Sequence, residues 1–239
     1  GLLPSVLVEI GLADACFPLD SPIGPIFVAY TAAGIAAVGQ QVDADAFAAV
    51  YRRRFGRRVR PNPAPPVALA RAVERRLRGE QAAISLDLRG LTEFAPETLH
   101  KAAEVPRGEV RPYAWIAREI GHPGAVRAVG TALGHNPVPL LIPCHRIVLS
   151  DGRLGQYVFG GAAKRAALAA EGIQTERLED LARARVRYHG DDTTRIYCFP
   201  TCHTARAIPD DHLVTFATDE AARKAGYRPC PDCRPALPS

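Results

Sequence analysis

The placement of the cysteines constrains this chain more than any other feature. Six occur in 239 residues, at positions 16, 144, 198, 202, 230 and 233, and four of them fall within the last 42. Those four pair as Cys198-x3-Cys202 and Cys230-x2-Cys233, with 27 residues between the pairs. In a reducing compartment such spacing means metal more often than disulfide, and four thiolates in two close pairs suit one tetrahedral zinc. A segment of about 50 residues builds too small a core to stand alone, so a zinc there has a structural role whatever else it does.

The remainder has the composition of a folded globular protein, with 47% hydrophobic and 23% charged residues. No apolar run is long enough to span a membrane. The opening GLLPSVLVEI lacks a basic flank and a small-residue cleavage site, so it reads as a strand or tail rather than a signal peptide. Methionine is absent, which reads as a processed or trimmed N-terminus. Net charge is +5, but residues 190–239 hold six basic and seven acidic residues, so the excess lies entirely in the first part, at +6 against −1. Arg-rich residues 176–191 read as a helix and linker between the two parts.

Within the first part, residues 24–30 read as a strand and 34–39 as its hairpin partner. Residues 43–55 and 67–77 read as helices, and the alternation over 84–88 reads as a strand. From Phe94 the pattern turns helical. Residues 112–135 read as two helices about the break His122-Pro123-Gly124, with Gly121 suited to the C′ position of the first. This is a plain helical hairpin or a helix–turn–helix; Arg118, Arg127 and the basic charge favour the second, and DNA as partner. The densest basic run, residues 51–60, reads as a solvated helix end and loop. Cys16 has no motif and reads as core, as does Trp115.

The segment Pro143-Cys144-His145-Arg146 sets a cysteine beside an imidazole. A thiolate is the reactive form of cysteine, and a neighbouring base favours it. The pair alone is weak evidence, since a lone buried cysteine is more often packing. Its setting is more specific. Residues 106–113, 116–121, 123–130, Asn136-Pro137, 142–148, 155–157, Lys164-Arg165 and Glu171-Gly172, with 21–25 upstream, resemble the O6-alkylguanine-DNA alkyltransferase family over about residues 15–175.

That resemblance implies Cys144 as the acceptor of an alkyl group, His145 as base through a water, and Glu171 as the group that orients His145. It implies that Asn136 holds the active-site turn, that Tyr113 donates toward the guanine, that Arg127 fills the gap in the duplex, and that Tyr157 lines the base pocket. The partner would be double-stranded DNA carrying alkylated guanine, with the nucleotide flipped out and the second helix in the minor groove. The protein would be a cytoplasmic, DNA-associated monomer, consumed once per lesion. Phe94-Ala95 stands where the family commonly has Phe-Gln, and Val158 and Phe159 also depart from its pattern.

Residues 192–202 and 225–235 resemble the metal-binding domain of the Ada-type methylation-response proteins, over about residues 188–236. The resemblance implies Cys198, Cys202, Cys230 and Cys233 as zinc ligands and Cys198 as a second acceptor, of methyl groups from DNA phosphotriesters. A structural zinc, or a methylation switch in a protein that senses alkylated DNA, is the alternative. Between the pairs, residues 213–217 read as a strand, and Thr218 caps a short helix closed by Gly226. The fold expected is an α/β N-terminal domain (1–93), a mainly helical helix–turn–helix active-site domain (94–176), a linker helix (177–189) and a small zinc-bound α+β domain (190–239). No organic cofactor is expected.

Overall fold

The computed structural model describes residues 4–236. After a short helix α1 (Pro4–Glu9), three strands follow: β1 (Asp14–Leu19), β2 (Ile26–Thr31) and β3 (Gly34–Gly39), paired antiparallel in succession. Helix α2 (Ala44–Phe55) then carries the chain to β4 (Val59–Pro61), which pairs parallel to β1 and completes a sheet of order β3-β2-β1-β4. Asp43 caps α2 by accepting the Ala46 amide at 2.7 Å, and Gly56 at φ +67° ends it. Phe47 and Tyr51 of α2 close one sheet face over Cys16, Ala29 and Ala37. On the opposite face, Phe17, Val28 and Ile35 join a larger core with Val73 of α3 (Val67–Leu77) and Leu99 of α4 (Phe94–Ala103).

β5 (Arg111–Pro112) leads into α5 (Tyr113–Glu119), which turns into α6 (Val126–Gly134). The turn has the Schellman pattern. Gly121 at φ +76° donates to the Arg118 carbonyl at 3.0 Å, and His122 donates to the Ala117 carbonyl at 2.8 Å. β6 (Ile147–Val148) pairs parallel with β5, and α7 (Gly160–Ala169) and α8 (Thr175–Arg183) follow. The last part comprises β7 (Tyr188–Asp191), β8 (Ile196–Cys198), α9 (His203–Arg206), β9 (Leu213–Phe216), α10 (Asp219–Lys224) and β10 (Arg228–Pro229), in a sheet of order β10-β8-β7-β9. Thr218 caps α10 by accepting the Ala221 amide, and Gly226 lies at φ +83° beyond it. Among the described residues no helix is long and apolar enough to cross a membrane.

Four local expectations change. The N-terminal run, read as strand or tail, is helical over Pro4–Glu9, because Val8 is buried in the main core and that packing overrides the β-propensity of valine. Residues 84–88 form no continuous strand. Ile84, Leu86 and Leu88 do pack on the core, but the backbone makes one bridge, Ile35 with Leu86, where Gly34 lets the Ser85 backbone come close enough to exclude a Cβ. β7 lies inside the stretch read as helix and linker, paired on both edges by β8 and β9. Finally, the basic run at 51–60 is not wholly solvated: Arg54 donates to the His135 carbonyl, and Arg57 pairs with Asp14 at 3.3 Å and Asp87 at 3.6 Å.

Candidate active site and zinc centre

The turn that carries Cys144 is built around one amide side chain. Asn136 is buried, and its Nδ2 donates to the Ile142 carbonyl at 3.0 Å and to Cys144 Sγ at 3.2 Å. Its Oδ1 accepts the Val138 amide at 3.0 Å. Leu140, between these contacts, sits at φ +72°, a left-handed conformation that a leucine holds only when the surroundings determine it. The same turn is tied to the sheet through the Val38 amide, which donates to the Pro137 carbonyl at 2.8 Å. Cys144, His145 and Arg146 form a 3-10 turn directly before β6.

Cys144 is 5% exposed and lines a cavity of about 250 Å³ with Tyr113, Tyr157, Gly130, Leu133 and Gln156. Burial pushes its thiol up to about 11, against the Asn136 hydrogen bond and the charge of Lys164. The thiol therefore rests protonated, and a proton must leave before the sulfur can attack. His145 lies below the surface. Its Nε2 faces Glu171 Oε1 at 3.0 Å, and its buried Nδ1 has no protein partner. The carboxylate fixes the tautomer with the proton on Nε2, which leaves the lone pair on Nδ1. Burial pulls the imidazole below its ordinary value, against the Glu171 carboxylate, so it is neutral at neutral pH. For Glu171, burial opposes the charge, but hydrogen bonds from His145 and Arg146 outweigh it and bring the carboxyl down to about 2.

Two residues to which the sequence assigned no role belong to this constellation. Arg146 forks onto Glu171, Nε to Oε2 at 2.9 Å and Nη2 to Oε1 at 2.8 Å, and also donates to the Val105 carbonyl. Lys164 is fully buried and donates to the carbonyls of Ile147, Leu154 and Gln156. The signal for Lys164 was a charge inside the alanine-rich helix GGAAKRAALA; for Arg146 it was a charge adjoining Cys-His. Tyr113 opens α5 and Tyr157 packs edge-on to His145 with centroids 6.1 Å apart. The Tyr157 hydroxyl is buried with no protein partner. Arg127 stands apart from the cavity, exposed on the first turn of α6.

The tail brings its four cysteines together. Cys198 ends β8, Cys202 precedes α9, and Cys230 and Cys233 follow β10. Their sulfurs all lie within 4.8 Å of one another and all four residues are buried. The amides of Cys202 and Cys230 are tied to the Phe199 and Tyr197 carbonyls, so both knuckles are fixed by backbone. Four buried thiol groups converging on one point fit a single zinc.

The family described as 6-O-methylguanine DNA methyltransferase, DNA binding domain, matches residues 93–173. The metal binding domain of Ada matches residues 180–236. A methylated-DNA–protein-cysteine methyltransferase of Mycobacterium tuberculosis is 47% identical over 88 residues, which are 37% of this chain and 53% of that protein. The chain thus spans about half the length of that curated relative. The crystal structure of Mycobacterium tuberculosis OGT in complex with DNA is similar at a TM-score of 0.55, with 33% identity over 68% of this chain and 94% of that one. A methylated-DNA–protein-cysteine methyltransferase of Mycobacterium leprae is 36% identical over 152 residues, covering 63% of this chain and 86% of that protein. With both the extended relative and the fold agreeing, the chain belongs to the methylated-DNA–protein-cysteine methyltransferase family.

Proposed function

We propose that this protein repairs DNA by moving an alkyl group from O6-alkylguanine directly onto Cys144. The observation that carries the reading is the relay behind the cavity: a buried thiol in the cavity wall, a neutral imidazole with its Nδ1 unpartnered, and a carboxylate held ionised by Arg146. The flipped nucleotide enters the cavity beside Tyr113 and Tyr157, at a cost of a few kcal/mol for unstacking. The Cys144 proton passes through a water to His145 Nδ1, and Glu171 balances the imidazolium that results. The sulfur then attacks the alkyl carbon. A carbon–sulfur bond forms, the bond from that carbon to guanine O6 breaks, and the electron pair stays on the base. Tyr113 donates a proton toward that base. Burial first, and then the neighbouring Cys144, raise the Tyr113 hydroxyl, so the phenol is protonated when needed.

The thioether is stable, so each chain is used once. Asn136 keeps Cys144 in place, and Arg127, exposed on the second helix, fills the gap in the duplex from the minor groove. Little sequence preference follows, because minor-groove readout is degenerate. The chain acts as a monomer. The domain limits that fit this reading are 1–93, 94–176 and 190–239, joined by 177–189. Intact mass after mixing with an O6-methylguanine duplex tests the reading: one methyl per chain, mapped to Cys144, is the expected result. Binding without any methyl on Cys144 would replace it with a sensor.

The zinc domain holds a structural metal in this reading, because no sulfur of the cluster is open to a DNA phosphate. Cys198 has no exposed surface, so it accepts a methyl from a phosphotriester only if the packing around it opens. Peptide mapping after exposure to a phosphotriester-methylated duplex decides between the two roles: methyl on Cys198 makes it a second acceptor.

A further inference from the structure

The zinc domain does not hang free of the alkyltransferase part. It is clamped onto one short segment, residues 108–113, whose two ends both reach the Cys144 site. At the near end, the Gly108 amide points at Glu171 Oε2 at 3.3 Å, and Gly108 holds φ +77° with the Glu171 backbone 3.2 Å from where a Cβ would sit. At the far end, β5 pairs with β6 immediately after Cys144-His145-Arg146 and delivers Tyr113 into the cavity wall. Between these ends, Glu109, Val110 and Arg111 are each held from the tail. The Glu109 carboxylate accepts the His203 amide at 3.1 Å. The Val110 amide donates to Thr201 Oγ1 at 2.9 Å. Arg111, ion-paired with Glu109 and also bonded to the Val110 carbonyl at 2.9 Å, lies over the Phe199 ring at 5.4 Å and the Trp115 ring at 5.9 Å.

Glu109 and Arg111 are 2% and 3% exposed. A buried ion pair brings no net stability unless its remaining donors and acceptors are met; here the His203 amide of the tail meets Glu109, and the Val110 carbonyl meets Arg111. Of the partners, Phe199 and Thr201 lie within the Cys198–Cys202 knuckle and His203 directly follows it, and the knuckle's shape depends on both cysteines pointing to one centre. Order in the knuckle is therefore imposed on 108–113, and through it on the carboxylate and the tyrosine of the transfer site.

We propose that the zinc domain is a positioning element of the Cys144 site, acting through Thr201 and Glu109 on residues 108–113. This rests on Cys144 being the acceptor, as argued above. Thr201 and Glu109 are positioning residues: neither lines the cavity, and each acts through the backbone that presents Gly108 to Glu171 and Tyr113 to the base.

The test uses the full zinc-loaded chain and an O6-methylguanine duplex in single turnover. Thr201→Val removes the acceptor for the Val110 amide at nearly constant volume, and Thr201→Ser retains it. The valine variant is expected to transfer about tenfold more slowly at saturating duplex, the scale of one buried amide left unpaired. Its end point stays at one alkyl per chain, its half-saturating DNA concentration and zinc content stay at the wild-type values, and its amides at 108–111 and 113 exchange faster. The serine variant keeps the wild-type rate. A wild-type rate in the valine variant despite faster exchange at Val110 overturns the proposal. So does an end point that falls in step with the rate, which reports a misfolded fraction rather than a misplaced segment. If Thr201→Val loses zinc, Glu109→Gln, which leaves the knuckle untouched, carries the same expectations and the same refutation. If the wild-type chain transfers nothing, the acceptor reading fails first. The exchange arm, which needs no alkyl donor, still decides whether Thr201 orders 108–113.

Discussion

Asn136 meets three groups at once, the Ile142 carbonyl, the Val138 amide and the Cys144 sulfur, and its replacement by alanine orphans the buried Val138 amide, while the Ile142 carbonyl keeps the Cys144 amide as donor. A loss of roughly 1–3 kcal/mol for the orphaned group follows. Thermal unfolding of Asn136→Ala should show it, together with slowed alkylation; an unchanged melting temperature would contradict the account of the turn. Cys144→Ser is expected to abolish transfer while DNA binding, followed by gel shift, persists, and full transfer without that sulfur would refute the assignment. Glu171 gives a pH signature. Its folded-state value is depressed from the ordinary 4.5 to about 2, so the folded chain favours the anion. The stabilisation, about 3 kcal/mol, is fully present above the ordinary value and is lost as pH falls toward 2. Melting temperatures recorded from about pH 5 to about pH 2 should fall more steeply for the wild type than for Glu171→Gln, and parallel curves would deny Glu171 that role. At this scale the motif residues were legible because Pro-Cys-His-Arg is a local string. The roles of Arg146 and Lys164 were not, because they come from a fork onto a residue 25 positions away and from a set of carbonyls across the core.

Elements whose ends carry chemical punctuation were read closely from the sequence. Helix α2 begins after Asp43 and ends at Gly56, α10 begins after Thr218, and the α5–α6 turn is marked by Gly121. Elements fixed by distant partners were not. β1 contains Asp14 and Pro18 and has a weak strand signature, yet it is an interior strand of its sheet because β2 and β4 pair on either side. β7 was hidden in an arginine-rich linker pattern for the same reason. Conversely, the alternation at 84–88 was a true signal of half-burial and a false one of pairing. The Gly121 position also yields a prediction. Gly121→Ala places a Cβ in a left-handed residue with open space around it, so the cost is conformational, about 1 kcal/mol. Chemical denaturation should report that loss with an unchanged m-value; no loss would mean that the Schellman turn is dispensable.

Across the whole molecule the decisive contacts join residues far apart in sequence. Val110 meets Thr201 across 91 positions, and Trp115 Nε1 donates to the Cys233 carbonyl at 3.0 Å across 118. Two resemblances and a charge boundary announced two parts of the chain, but nothing in the string of residues announced that one is seated on the other. The cysteines of the tail share a core with Trp115 and Ile116 of α5, so the zinc site and the helix–turn–helix are coupled in stability. Stripping zinc with a strong chelator is expected to unfold residues 190–236, since binding of a structural zinc carries on the order of 10 kcal/mol. Amide exchange should then show loss of protection in α5 as well. Unchanged protection of α5 in the zinc-free chain would mean the two parts are merely adjacent.

Trp115 is the only tryptophan in the chain, and it lies where the tail meets α5, with the guanidinium groups of Arg111 and Arg234 at 5.9 and 5.7 Å from its ring. The protein therefore carries a built-in optical gauge at this one junction. Its ultraviolet-excited emission comes from a single indole whose surroundings change if the tail lifts away, and water reaching that ring shifts the emission to longer wavelength. Docking of the two parts can be followed in the unlabelled protein, in real time, while lesion-bearing DNA is added.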